Sequence, residues 1–282
     1  MDSIQTICVC GAGTMGSGIA QLCAQSGIPT TLYDLDTSKV QKSKATIEKN
    51  WVSAIEKGKL SPSETEKATG LLKFTSNITE CVAFLIIEAI VEKEQVKVSL
   101  FKELEFLNKG ECIFASNTSS LSVTAIAEQL SNKERVIGLH FFNPAPLMRL
   151  IEVVKTKYNP TAIVDTMVTL AKRLGKTPVV CKDAPGFIVN HVARPYYIEA
   201  LNLVSAGFGD FETIDSLMES SGFKMGPFRL MDLIGNDINY AVSCSVYEAM
   251  GKPERLKPSP IQKDKVDKGE LGRKTKKGYY SY

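Results

Sequence analysis

Six residues near the N-terminus, Gly11-Ala12-Gly13-Thr14-Met15-Gly16, limit the possible folds of this chain more than any other feature. They follow a β-rich run, Ile4 to Cys10, and open a segment of helix-forming composition, Ser17 to Ser26. Strand, glycine turn and helix in that order make a dinucleotide-binding unit. Gly11 permits the tight turn, Gly13 lets a pyrophosphate approach the backbone, and Gly16 lets strand and helix pack closely. Thr14 and Met15 lie at the helix N-terminus, whose amides and dipole favour phosphate. Asp34 closes a second β-rich run 23 residues after Gly11, where its carboxylate can accept hydrogen bonds from the adenosine ribose hydroxyls. Its charge repels a 2′-phosphate, so NAD is expected rather than NADP. Asp36, beyond the strand end, ranks second for that role. A glycine turn that serves packing alone is the bland alternative, disfavoured because strand, turn, helix and acid all fall where the fingerprint demands.

Short β-rich runs and longer stretches of helical period then alternate, as in a parallel sheet covered by helices. Strands are predicted at Ile4 to Cys10, Thr30 to Tyr33, Leu72 to Phe74, Phe84 to Ile87, Cys112 to Ala115, Val136 to Leu139, Ile151 to Val154 and Pro178 to Val180. Between the second and third, Ser38 to Lys57 reads as a long helix ended by Gly58. Ser61-Pro62-Ser63-Glu64 then supplies an N-cap, a first-turn proline and a capping-box glutamate for another. Together these form a basic helical hairpin inserted into the sheet domain. After Asp183-Ala184-Pro185-Gly186 the pattern turns helical, beginning with Phe187 to Ala206. The expected class is therefore α/β: a Rossmann-type domain over residues 1–184 with an inserted helical hairpin, then an all-α domain over 185–282. The helical part looks too thin to bury all its apolar faces, which suggests a homodimer formed through it.

Composition excludes several classes. A net charge of +3, from 34 basic and 31 acidic residues, argues against a general nucleic-acid binder. Two local basic runs, Lys39 to Lys59 and Arg255 to Lys277, suit an anionic small molecule or are simply solvated faces. The longest apolar stretch, Val82 to Val91, is interrupted by Glu88 and is too short to span a membrane. No targeting segment is apparent, so a soluble, cytoplasmic protein is expected. The 7 cysteines are scattered, without the spacing of a metal site, and read as small buried hydrophobes in a reducing compartment.

Two histidines narrow the search for a proton-transfer group. His140 falls at the end of a predicted strand, the edge of an open parallel sheet where ligands bind; a core histidine satisfied by its neighbours is the ordinary alternative. Glu152 is the candidate carboxylate to hold the ring. It interrupts Leu150-Ile151-Glu152-Val153-Val154, where a charge is costly unless paired, although a strand residue pointing to solvent is possible. Ser116-Asn117-Thr118-Ser119-Ser120 follows another strand, and capping of the next helix accounts for it as a stand-alone signal. Asn143 and Asn190 are polar interruptions of apolar runs.

His140-Phe141-Phe142-Asn143-Pro144-Ala145-Pro146 and Ala115-Ser116-Asn117-Thr118-Ser119-Ser120 resemble signatures of the L-3-hydroxyacyl-CoA dehydrogenases. The likeness runs from the glycine turn through Val91-Glu92, Ala184-Pro185-Gly186-Phe187 and Gly226-Pro227 to Lys277-Gly278-Tyr279-Tyr280, and the length is similar to the monofunctional bacterial 3-hydroxybutyryl-CoA members. The resemblance implies His140 as acid/base, Glu152 as its orienting partner, and Ser119 and Asn190 around the reacting oxygen. It further implies Glu92, Lys97, Asn143 and Lys274 beside NAD, and Lys57 and Asn50 toward the CoA portion of an acyl-CoA substrate, although Lys57 also reads as mere surface charge. Two departures, His191 and Arg229, lie outside that set. The implied activity is interconversion of short-chain (S)-3-hydroxyacyl-CoA and 3-oxoacyl-CoA. The alternatives are a dehydrogenase of free 3-hydroxy acids and a non-catalytic NAD-binding protein.

Overall fold

A computed structural model describes residues 4–282. The chain forms two compact units, the first ending at Ala184 and the second covering Pro185–Tyr282.

The first unit contains β1 (Ile7–Cys10), α1 (Thr14–Gln25), β2 (Thr30–Tyr33), α2 (Thr37–Glu56), α3 (Pro62–Leu71), β3 (Leu72–Thr75), β4 (Leu85–Glu88), α4 (Glu94–Asn108), β5 (Ile113–Ser116), α5 (Val123–Glu128), β6 (Val136–Phe141), β7 (Leu150–Lys155), α6 (Thr161–Arg173) and β8 (Thr177–Lys182). One eight-stranded sheet, in the order β3-β2-β1-β4-β5-β6-β7-β8, runs through it. The order reverses at the β1/β4 junction, the switch point where such sheets bind dinucleotides. Ile7, Val9, Leu32, Leu85, Ile87 and Ile113 are among the side chains that join helices to sheet in its core.

The sheet departs from the all-parallel expectation at one place. β6 and β7 pair antiparallel, and β8 then runs parallel to β7. Only residues 142–149 separate β6 from β7; a parallel crossover needs roughly a dozen residues or more, so the chain returns as an antiparallel neighbour. The first strand begins at Ile7 rather than Ile4, and β6 extends through His140 to Phe141. All eight strands foreseen from pattern are present.

The inserted hairpin is α2 and α3. Asp36 caps α2 by accepting from Ser38 N at 2.9 Å; Gly58, at φ 64°, follows its end. Ser61 and Glu64 form the reciprocal capping box of α3. Val40, Ser43, Ile47 and Trp51 share the buried face of α2, and two polar rungs tie it to α1: Ser17 to Ser43 at 2.6 Å and Asn50 to Gln21 at 3.0 Å. Lys39, Lys42, Lys44, Lys49, Lys57 and Lys59 are exposed.

The second unit holds α7 (Val189–Ser205), α8 (Phe211–Ser220), α9 (Pro227–Ile234), α10 (Asn236–Ala249) and α11 (Pro260–Asp267). α7 starts two residues later than expected, because Gly186 and Phe187 take positive φ of 73° and 51°, which a helix excludes. Tyr279 of the tail packs among Phe211 and Phe228, and buried Asp232 accepts from Tyr279 N and Tyr280 N, each at 3.0 Å. The tail is thus part of the helical core. Arg229 pairs with Glu219 at 3.2 Å and lies over the Tyr280 ring, so this departure serves internal structure. Among the described residues no helix is long and apolar enough to cross a membrane.

The scattered cysteines are less scattered in space. Cys8 and Cys10 face one side of β1, two residues apart, and Cys81 meets them with all three sulfurs within 4.8 Å. Period-two alternation makes that contact, which residue spacing alone conceals.

Candidate active site

Five parallel strands, β1, β2, β4, β5 and β6, deliver their carboxyl ends to one edge of the sheet. Asp34, the glycine turn, Glu92, the Ser116–Ser120 segment and His140 all follow or close these strands, so one topological fact assembles residues spread over more than a hundred positions.

The glycine turn fits a bound pyrophosphate. Gly11 has φ 111°, and a Cβ there would lie 2.5 Å from the Ala89 carbonyl oxygen across the switch point. A Cβ on Gly16 would lie 1.7 Å from the Gly11 carbonyl oxygen, so the close packing of turn and helix admits no side chain. Around Gly13, by contrast, nothing stands within 4 Å of that position. Gly13 is also the N-cap of α1 and brings no side-chain oxygen to the first amides. Thr14 is exposed at the start of α1, and Met15 is half-buried against the core. Asp34 is anchored by two backbone amides, Ala12 N to Oδ2 at 2.9 Å and Asp36 N to Oδ1 at 3.0 Å. Each carboxylate oxygen has a second lone pair to offer a ribose hydroxyl. Asp36 is occupied in capping α2, which leaves Asp34 as the acid built into the turn.

His140 and Glu152 stand directly opposite each other in the antiparallel register of β6 and β7. His140 Nδ1 lies 2.8 Å from Glu152 Oε2. Both are buried, at 5% and 0% exposure. An ionised carboxylate only accepts, so Nδ1 donates, and Nε2 is the ring nitrogen that does not face Glu152. The Phe142 ring lies 4.5 Å from the imidazole, centre to centre. The remaining histidine is placed differently: His191 Nδ1 is bonded to the Pro185 carbonyl at 3.0 Å.

Ser119 is tied to Glu92, its amide donating to Oε1 at 3.0 Å, and Thr118 Oγ1 donates to the same oxygen at 2.5 Å. Lys97 is 1% exposed and its ammonium lies between two carboxylates, Glu88 at 2.6 Å and Glu92 at 3.0 Å. The ammonium expected beside the cofactor is thus held by two protein carboxylates. Burial raises the Glu92 carboxyl, but Lys97, Thr118 and Ser119 outweigh it and hold the group below its ordinary value. At Glu88 burial prevails over Lys97 and Ser116 and pushes the carboxyl up.

Asn143 is exposed on the β6–β7 connection, before Pro144. That connection is gripped from beneath by Lys176, whose ammonium donates to the carbonyls of Ala145, Pro146 and Met148 at 2.7, 3.1 and 2.8 Å. Burial pushes this lysine below its ordinary value. Lys57 is exposed at the C-cap of α2. Asn50 is committed to Gln21. In the second unit, Asn190 lies in the first turn of α7 with its carbonyl accepting from Arg194 at 3.0 Å; Lys274 contacts both oxygens of Asp237, at 2.6 and 2.7 Å.

Three participants escaped sequence reading: Glu88, Lys176 and Asn117. Glu88 left a signal, a lone acid ending the apolar strand Leu85–Glu88. Lys176 left none, since one lysine after a helix is ordinary. Asn117 was lost among capping candidates, yet its Oδ1 accepts from Phe141 N at 2.9 Å and so joins the serine-rich segment to the end of β6.

Residues 6–184 match the NAD binding domain of the 3-hydroxyacyl-CoA dehydrogenases, and residues 186–282 match their C-terminal domain. The chain is 41% identical over its whole length to the 3-hydroxyadipyl-CoA dehydrogenase of Escherichia coli, of which it spans 60%. It is 36% identical to a 3-hydroxybutyryl-CoA dehydrogenase of Mycobacterium tuberculosis, covering 100% of this chain and 99% of that one. A crystal structure of (S)-3-hydroxybutyryl-CoA dehydrogenase from Ralstonia eutropha superposes with a TM-score of 0.94 at 35% identity, covering 99% of each chain.

Proposed function

Because the chain belongs to the 3-hydroxyacyl-CoA dehydrogenase family, we propose that it is an NAD-dependent oxidoreductase interconverting short-chain (S)-3-hydroxyacyl-CoA and 3-oxoacyl-CoA, with the four-carbon pair as substrate. The observation that carries this reading is the buried His140–Glu152 pair, 2.8 Å apart, at the edge where the nucleotide turn also lies. Bound NAD supplies hydride exchange with the substrate's C3. The protein supplies the proton path. In oxidation His140 Nε2 takes the hydroxyl proton, and in reduction it returns a proton to the oxygen. Glu152 holds the ring and offsets the positive charge it gains in taking that proton. Ser119 orients the reacting oxygen. For Asn190, Lys274 and Asn143 the proposed roles stand on the sequence resemblance. The exposed lysines of α2 and of the turn that follows it suit a phosphorylated handle, whose binding energy can hold a short acyl chain in place for reaction.

The test compares acetoacetyl-CoA, longer 3-oxoacyl-CoA esters and free acetoacetate, each with NADH and NADPH. Turnover of acetoacetyl-CoA with NADH is expected, with a preference for NADH because Asp34 repels the extra phosphate. Lys57→Ala should raise KM for the CoA ester by a few fold with kcat nearly unchanged, since it removes binding away from the reacting atoms. Equal turnover of the free acid, with no response to Lys57→Ala, would favour a free-acid dehydrogenase. NADH binding without any turnover would favour a non-catalytic protein.

A homodimer through the helical unit is also proposed. Val192, Phe208, Leu217, Phe223 and Ile238 are at least half exposed there, apolar surface that a second copy would cover. Sedimentation at micromolar concentration should give twice the chain mass of 30.9 kDa; a single species at the chain mass rules the dimer out.

A further inference from the structure

Glu88 ends β4 and is fully buried, with neighbours in the sheet at Cys10 of β1 and Ser116 of β5. Each of its oxygens is engaged. Oε1 accepts from Lys97 Nζ at 2.6 Å and from Ile90 N at 2.7 Å; Oε2 accepts from Ser116 Oγ at 2.7 Å. Its backbone carbonyl accepts from Asn117 N at 2.9 Å.

From that centre two routes lead to the serine-rich segment. Along the first, Ser116 Oγ, having donated to Glu88, accepts from Thr118 N at 3.2 Å. The second route passes through Lys97, which bridges to Glu92, and Glu92 receives the Thr118 hydroxyl and the Ser119 amide. Asn117, fixed at its amide by Glu88, fixes Phe141 N in turn, one residue from His140. Ser116 is thus bound directly to a carboxylate that has no access to solvent, Thr118 reaches it through Ser116, and Ser119 reaches it through Glu92 and Lys97, while Asn117 is held by the backbone carbonyl of the same residue.

Stability alone is a weak reason for such a centre. Burying an ion pair costs several kcal/mol per ion, roughly, and an apolar pair of similar volume is often as stable. What a satisfied buried network does supply is one fixed geometry. We propose that Glu88 is a positioning residue for the reaction, setting the placement of Ser119 and Glu92 at the sheet edge through Ser116 and Lys97. This rests on the reading of Ser119 as the group that orients the reacting oxygen.

The test is a double-mutant cycle of Glu88→Gln with Ser119→Ala, reading kcat and KM with acetoacetyl-CoA and NADH together with amide hydrogen exchange over residues 116–120. Glu88→Gln keeps the shape and one acceptor but removes the charge that holds Lys97. A displacement of the order of 1 Å at a reacting group can cost up to about 100-fold, so kcat in Glu88→Gln should fall roughly 10- to 100-fold with KM for the ester changed less. Exchange at 116–120 should quicken. In the Ser119→Ala background the effect of Glu88→Gln on kcat should largely vanish, which a merely structural role would not produce. If Ser119→Ala lowers kcat and Glu88→Gln adds its full loss on top, the positioning proposal is overturned while the site reading survives. If Ser119→Ala leaves kcat unchanged, the site reading falls and the proposal with it. Ser116→Ala, which removes one hydroxyl and its two hydrogen bonds, carries the same cycle should Glu88→Gln fail to fold.

Discussion

Replacing His140 with asparagine should lower kcat for acetoacetyl-CoA reduction by roughly 10²–10⁴-fold, the ordinary contribution of a positioned acid or base, while NADH affinity by fluorescence titration stays within about twofold. Asparagine is the better variant than alanine for a physical reason. Alanine would remove the imidazole from beside Glu152, a carboxylate that is 0% exposed, and breaking a buried pair costs about 3–5 kcal/mol, which confuses a stability effect with a catalytic one. The asparagine amide can still donate to Glu152 from near the position of Nδ1, but nothing replaces Nε2. His191→Ala is the matched control. Its ring is bonded to a backbone carbonyl in the second unit, and its loss should change kcat by no more than a few fold. A near-normal rate in His140→Asn, or an equal loss in His191→Ala, would show that the proton is handled elsewhere.

Glu152→Gln is expected to have the second largest effect, a fall in kcat of about 10²-fold or more. Glutamine can accept from Nδ1 and so preserve the tautomer, but it removes the charge that offsets the imidazolium formed during turnover. The loss should therefore fall on kcat and kcat/KM alike, as for an interaction made in the transition state, with the KM for NADH little changed. Because the two side chains act as a unit, the doubly substituted protein should be barely slower than His140→Asn alone. Full additivity of the two losses would mean that Glu152 acts independently of the ring. A normal rate in Glu152→Gln would reduce the pair to a structural contact.

Most of the fold is legible in the chain because its signals are local. Thr30 to Tyr33 is a strand by composition and period, the Ser61–Glu64 capping box is written in four consecutive residues, and Gly58 marks a helix end. Each depends on neighbours within a turn or two. Boundaries slipped where backbone conformation overrode composition, as at Gly186 and Phe187, where positive φ delays α7. The site was legible residue by residue, because strand ends can be read from pattern and the glycine turn and His140 each fall at one. The partnerships, apart from that of His140 with Glu152, were not. Nothing in the sequence around Lys97 announces that the fold buries it between Glu88 and Glu92, and Asn50 and Lys274 find protein partners that no spacing announces.

The chain by itself determined a nucleotide turn with its acid, a sheet domain followed by helices, and two residues suited to proton transfer, because those follow from local period, turn chemistry and the cost of a charge in an apolar run. The sequence nominated Glu152 as the partner of His140, and only the folded sheet decided how the two meet. Twelve residues apart in sequence, they become opposite partners because the connection between β6 and β7 is too short for a crossover and must turn back. A shift of register by one residue would have aimed the two side chains at opposite faces. The same strand order gathers Glu88, Lys97 and Ser116 around one buried centre, since contacts across a sheet are set by which strands adjoin and in what register, information that a linear pattern does not contain.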